Sequence, residues 1–254
     1  MLGFARKLWS ETETAAASVP RGMRVYAVGD IHGRLDLLDQ LLGQIGRDAD
    51  TAPELLKYLV FLGDYVDRGP QSAQVIERLA TGLSPVFGTV FLRGNHEDIL
   101  QAFLTDLAVA PGWLTYGGDA TLASYGIPAP APDSPPEHLL EAQHRLNAAL
   151  PRHHRAFLSG LRSHLTIGDY HFVHAGIRPG VPLDRQDDAD RLWIRNEFLE
   201  SRVEHGKTIV HGHTIAAEPE LRANRIGIDT GAYATNRLTA LVLEGADQRF
   251  LCTV

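Results

Sequence analysis

The chain has 254 residues, 44% hydrophobic and 22% charged, enough to bury a substantial core as one large domain or one domain with a cap. A formal charge of -7 repels phosphate backbones and argues against broad nucleic-acid binding. Cys252 is the only cysteine, which excludes an internal disulfide framework and a soft thiolate metal site.

No stretch approaches the roughly 20 apolar residues of a membrane span, so a cytoplasmic protein without stable membrane insertion is expected. Arg6 and Lys7 are followed by Trp9-Ser10-Glu11-Thr12-Glu13, where a signal peptide needs an apolar core. Residues 1–22 read as an N-terminal extension, with Phe4, Leu8 and Trp9 open to a peripheral membrane or partner contact.

A folded domain over 23–254 starts with a strand at 23–28, closed by Gly29-Asp30. Leu37, Leu38, Leu41, Leu42 and Ile45 then fall at helical spacing over 35–45. A second apolar run over 58–62 ends in Gly63-Asp64, and a helix over 71–83 carries Val75, Ile76 and Leu79 on one face. A third run over 86–92 ends at Arg93-Gly94-Asn95. This alternation implies βαβ units and a largely parallel sheet, whose sites form beyond the carboxyl ends of the strands.

Residues 98–165 read as a helical insertion or cap, with helices over 99–107 and 137–150 and a proline-rich loop at 128–136. Strands resume over 170–173, 208–210 and 225–228, ending at His174, at His211-Gly212-His213 and at Asp229. A last strand over 238–243 carries no ligand types.

Carboxylate, amide oxygen and imidazole donors suit hard or borderline divalent ions. The candidates are Asp30, His32, Asp64, Asn95, His174 and His213, each just past a strand end. Six such donors suit two ions about 3.5–4 Å apart, with Asp64 able to bridge them and positions open for water and substrate. Asp64 and Asp67 could instead cap the following helix. Alternation along a strand would put His211 on the same face as His213, and Asp229 reads either as a partner of the site or as a turn former.

The strings Gly29-Asp30-Ile31-His32-Gly33, Gly63-Asp64-Tyr65-Val66-Asp67-Arg68-Gly69 and Gly94-Asn95-His96-Glu97 resemble the three motifs of the phosphoprotein phosphatase family of dinuclear metallophosphoesterases. Val-His-Ala-Gly at His174 and Gly-His-Thr at His213 extend the likeness, which covers about residues 23–245. It implies an α/β, calcineurin-like fold of two packed mixed β-sheets flanked by helices, with metals at one edge.

The resemblance assigns one ion to Asp30, His32 and Asp64 and a second to Asp64, Asn95, His174 and His213. Manganese is the family expectation, and the same donors accept iron or zinc. His96 matches a general acid oriented by Asp67. Arg68 and Arg195 match phosphate-clamping arginines whose guanidinium forks suit phosphoryl oxygens. Arg93 is a possible third, or an ion-pair partner of Glu97. The implied reaction is in-line attack on phosphorus by a hydroxide held on the metals, without a phospho-enzyme.

For the substrate, Asp67, Arg68 and Glu97 follow the spelling of protein phosphatases, which favours a bacterial-type Ser/Thr protein phosphatase acting on phosphorylated protein or peptide. The alternative is a symmetrical dinucleoside polyphosphate (diadenosine tetraphosphate) hydrolase, or a broad phosphatase of small molecules and nucleotides. Such hydrolases usually lack the Val-Asp-Arg string and tend to end the third motif in Asp. A non-catalytic scaffold predicts a broken ligand set, and none of the six donors is missing.

Overall fold

The computed structural model describes residues 16–253. Strands β1 (Met23–Val28), β2 (Leu56–Phe61) and β3 (Phe87–Phe91) run parallel, joined by helices α1 (Leu35–Ala49) and α2 (Ser72–Thr81). The chain then stays helical through α3 (Asn95–Phe103), a 3-10 turn at Leu107–Val109, α4 (Ala110–Trp113), a π turn at Leu114–Gly118, α5 (Asp119–Ser124), α6 (Pro136–Ala149) and α7 (Arg152–Ser159). A second sheet follows from β4 (His164–Ile167), β5 (Tyr170–Val173), β6 (Thr208–His211), β7 (Glu220–Leu221) and β8 (Arg225–Gly227), with short helices α8 (Asp188–Trp193) and α9 (Asn196–Leu199) between β5 and β6. After α10 (Ala232–Thr235), strands β9 (Thr239–Glu244) and β10 (Asp247–Cys252) return to the first sheet.

The strand orders are β10-β9-β1-β2-β3 and β4-β5-β6-β8-β7. Each has a parallel centre, β1-β2-β3 or β5-β6-β8, with antiparallel strands added. Both sheets are therefore mixed, as the resemblance implies.

Alternation along the strands sorts the apolar residues into layers. Val25, Ala27, Val60 and Leu62 meet Tyr170, Phe172, Val210 and Ile226 between the sheets. Tyr26, Val28, Leu59 and Phe61 face the other way, onto Leu38, Leu41, Ile45, Val75 and Ile76 of α1 and α2. Each such side chain taken fully out of water contributes about 1.5–3 kcal/mol. The helices over 95–159 join the same layer through Leu100, Phe103, Trp113, Leu122, Leu146 and Leu158. Smaller helices α8 and α9 cover the far face of the second sheet, where Ile194 and Phe198 pack on Val173 and Ile209.

Three strands escape a reading by apolar runs: β4, β7 and β10, which all lie at sheet edges. Each of the three mixes polar residues among its apolar ones and so shows no continuous apolar run, whereas β3, also at an edge, keeps one. The run at 238–243 is accordingly not the last strand, since β10 pairs with β9 beyond it.

Helix α3 begins at Asn95, four residues before its apolar pattern. Gly94 is extended there, and the Glu97 side chain reaches back to accept its N–H at 3.0 Å. Part of the segment assigned to the extension is docked: Val19 is buried and donates its N–H to Gly245 at 2.9 Å, and the Tyr170 hydroxyl donates to the Ala17 carbonyl. Phe4, Leu8 and Trp9 lie outside the described residues. Among the described residues no helix is long and apolar enough to cross a membrane.

Candidate metal centre

Asp30 and His32 follow β1, Asp64 follows β2 and Asn95 follows β3, while His174, His213 and Asp229 follow β5, β6 and β8 of the other sheet. Parallel strands in each sheet point their carboxyl ends toward the same edge, so loops from both sheets converge there.

Convergence requires strained turns. Among the described residues, six that are not glycine have positive φ, and five of these are His32, Asp64, Asp67, Arg68 and His213. Such conformations persist only where neighbours over-determine them. Here the N–H groups of Ile31 and His32 both donate to the Asp64 carbonyl, at 3.0 and 2.8 Å, locking the first two loops together. Two glycines admit the carboxylates: a Cβ on Gly94 would strike the Asp64 carboxylate, and one on Gly212 would strike that of Asp30.

Asp64 is the hub. Its Oδ2 lies 3.5 Å from His32 Nε2 and 3.9 Å from His96 Nε2, while its Oδ1 lies 3.4 Å from His174 Nε2. Asn95 Oδ1 is 2.9 Å from His174 Nε2 and 3.0 Å from His213 Nδ1. Two groups thus form, His32-Asp64-His96 and Asp64-His174-His213, with Asp64 common to both. The Asp30 carboxylate accepts the His213 backbone N–H at 2.9 Å on Oδ2, while Oδ1 is buried without a partner.

The donor set fits a pair of divalent cations. His32 Nδ1 donates to the Val66 carbonyl at 2.9 Å and His174 Nδ1 donates to the Leu62 carbonyl at 3.0 Å, which leaves each Nε2 as a lone pair facing the cluster. Burial pushes His32 down to about 3 and His213 down to about 2, and also lowers His174, so all three are neutral imidazoles at neutral pH. Burial, with Asp229 and Asp64 nearby, pushes the Asp30 carboxyl well up; burial likewise raises Asp229 to about 6. Three buried carboxylates at one point call for cations, and the oxygen and nitrogen donors accept hard or borderline ions.

His96 Nδ1 lies 2.7 Å from Asp67 Oδ2. Burial lowers the imidazole pKa, but the charges of Asp64 and then Asp67 outweigh it, and the net direction is up. Asp67 is completely buried and receives two further donors, Trp113 Nε1 at 3.0 Å and Thr121 Oγ1 at 2.6 Å. Both come from the helical segment that sequence assigned to an insertion.

Arg68 places Nη1 3.0 Å from His32 Nε2, and its guanidinium stacks over the Tyr233 ring at 4.8 Å. Arg195 donates to the His213 carbonyl at 3.4 Å and to Thr214 Oγ1 at 3.2 Å. The Arg93 head group is turned to carboxylates outside the cluster, Asp188 at 3.0 Å and Asp98 at 3.4 Å. Glu97 is engaged elsewhere. Its carboxylate accepts backbone N–H groups from Asp64 (2.9 Å), Tyr65 (2.7 Å), Val66 (3.2 Å) and Gly94 (3.0 Å). Burial and the Asp64 charge push its carboxyl up, yet only the ionised form can accept on both oxygens.

His211 turns away, with Nδ1 against the Gly212 carbonyl and Nε2 3.2 Å from Arg225. Strand alternation does not carry through to His213, because β6 ends at His211 and His213 is left-handed. Trp113 and Thr121 carried no sequence signal toward Asp67, since nothing local relates residues 46 and 54 positions away.

The model of the calcineurin-like phosphoesterase family matches residues 23–238. The chain is 27% identical over 237 residues to the asymmetrical bis(5'-nucleosyl)-tetraphosphatase PrpE of Oceanobacillus iheyensis, covering 86% of this chain and 88% of that protein. Its counterpart from Bacillus anthracis is 29% identical over 252 residues, covering 86% and 90%. Among solved structures, a candidate diadenosine tetraphosphatase aligns with a TM-score of 0.62 at 23% identity over 94% of this chain and 99% of that one. A cold-active protein tyrosine phosphatase from a psychrophilic Shewanella aligns with a TM-score of 0.59 at 20% identity over 97% and 86%. At these identities the structural likenesses speak to fold alone.

Proposed function

The chain belongs to the calcineurin-like phosphoesterase family and is a metal-dependent phosphoesterase, and on that premise we propose that its substrate is a dinucleoside tetraphosphate, cut asymmetrically into a nucleoside monophosphate and a nucleoside triphosphate. The observation that carries this reading is the match, along nearly the whole of both chains, to proteins named asymmetrical tetraphosphatases. The Ser/Thr protein phosphatase reading drew on the spelling of Asp67, Arg68 and Glu97, and the curated relatives favour the alternative. Glu97 spends all its acceptor capacity on backbone N–H groups, and Asp67 is sealed behind Trp113 and Thr121, so neither side chain is free to select a substrate.

In this reading Asp30, His32 and Asp64 would hold one divalent ion, and Asp64, Asn95, His174 and His213 the second. When bound, the pair supplies Lewis-acid charge to the phosphoryl oxygens and makes water acidic enough to serve as a nucleophile near neutral pH. Arg68 and Arg195 flank the cluster on the His32 and His213 sides, where permanent guanidinium charge can neutralise a polyphosphate chain. His96, held in orientation by Asp67, delivers its proton to the bridging oxygen of the P–O–P bond as that bond breaks, a role worth roughly 10²–10⁴ in rate. The oxygen of water ends on one phosphorus and the bridging oxygen departs with the other.

The test is turnover of diadenosine tetraphosphate by chelator-treated protein with and without added manganese, with products separated by anion exchange. The expected products are AMP and ATP, formed only with metal. Two ADP molecules would overturn the asymmetric assignment, and phosphopeptide turnover a hundredfold faster would overturn the substrate class.

A further inference from the structure

The interior of the site is buried and charged, whereas two aromatic residues beside it reach water: Trp193 is 45% exposed and Tyr233 37%. Of the two aromatic rings, that of Tyr233 already carries the Arg68 guanidinium on its face and meets His32 edge-on at 5.4 Å. Trp193 differs. It ends α8 with its indole edge-on to His213 at 6.3 Å, and the adjoining Leu192 takes the buried position on that helix. Two residues further on, Arg195 donates to the His213 carbonyl and to Thr214. One short turn therefore supplies both a guanidinium and a large flat apolar face beside the same metal-ligand candidate.

We propose that Trp193 is the platform on which one nucleobase of the substrate stacks while Arg195 engages the phosphate attached to it. The assignment rests on the dinucleoside tetraphosphate reading and names the residue that recognises the base. A nucleotide joins a planar ring to phosphate through a ribose, and the Trp193–Arg195 turn offers partners for both ends in that order. An indole is also the side chain best suited to base stacking, because every base presents a π-face and tryptophan offers a large one. Phosphate contacts alone cannot tell a nucleotide from inorganic phosphate, so discrimination has to come from such a face.

The experiment is calorimetric titration of AMP and of inorganic phosphate into manganese-loaded protein, for wild type, W193A and W193F, beside wild-type turnover of diadenosine tetraphosphate. W193A is expected to weaken AMP about tenfold, in line with the loss of one base–aromatic stack, while phosphate stays within about twofold. W193F restores most of the AMP affinity. The platform is overturned if AMP is unaffected, or if AMP and phosphate weaken together in W193A. The two readings separate cleanly: turnover with AMP indifferent to W193A sinks the platform alone. AMP sensitivity without turnover sinks the substrate assignment while supporting the platform.

Discussion

Replacing Glu97 by aspartate tests whether the last letter of the third motif reads substrate or braces the site. Glu97 is completely buried, and its two oxygens accept four backbone N–H groups at 2.7 to 3.2 Å, three of them from consecutive residues of the second motif loop. Removing one methylene withdraws the carboxylate by about 1.5 Å, beyond hydrogen-bonding reach of those N–H groups. A buried donor left unpaired costs about 1–3 kcal/mol. Partial relaxation of a loop that is already left-handed at Asp64 and Asp67 leaves an expected total of about 3–5 kcal/mol, or about 10 °C in Tm for a chain of this size. The assay is thermal unfolding by circular dichroism at fixed manganese concentration, because ligand binding to the native state shifts Tm by itself. D98A serves as control: Asp98 is its half-buried neighbour, ion-paired with Arg93 at 3.4 Å, and should cost no more than about 1 kcal/mol. An E97D protein that melts within 1–2 °C of wild type yet switches its preference toward another phosphoester would refute the brace.

Three further outcomes are expected. D67N should lower kcat by about 10²-fold with metal content unchanged by elemental analysis. Its pH–rate profile should also move: His96 must be protonated, activity is lost as pH rises through its pKa, and removing one of the charges that raises that pKa shifts the alkaline limb to lower pH. W113F keeps the packing against Phe103, whose ring centroid is 4.5 Å away, but deletes the N–H to Asp67; steady-state kinetics should show kcat falling about tenfold, with Tm within a few degrees of wild type. Asp48 is held below the ordinary carboxylate range, because hydrogen bonds from Arg249 and Tyr26 outweigh the upward push of burial. A depressed carboxyl stabilises above its unfolded pKa of about 3.9, and that stability is lost as pH falls through the folded value. Urea titrations should therefore show D48A about 1–2 kcal/mol less stable at pH 7, with the gap to wild type closing below about pH 4.

Much of the fold was legible because burial on both faces forces continuous apolar runs. The parallel centre of the first sheet and the amphipathic helices α1 and α2 follow from that pattern alone. The edge strands β4, β7 and β10 were not, since polar residues interrupt the apolar run of each. Within the candidate site, the residues that the three motifs and two later histidines single out do meet in space, with Arg93 turned aside to Asp98 and Asp188. Motif spelling does not settle the substrate. It is a pattern of residue types, and it cannot say whether Glu97 faces a ligand or a backbone.

The three motifs and the two later histidines named side chains able to hold divalent ions, and their resemblance to a known family implied phosphate-ester chemistry. Short glycine-flanked turns at strand ends are local, and local sequence specifies them. Only the tertiary structure decided what each remaining residue does. It buried the Glu97 carboxylate among four N–H groups, brought Trp113 and Thr121 onto Asp67, turned His211 away from the cluster and left Trp193 in water beside Arg195. Most of those partners lie between 14 and 54 positions apart, and the exposure of Trp193 depends on which face its helix presents. Packing of one layer against another sets them, and no periodicity in the chain records it.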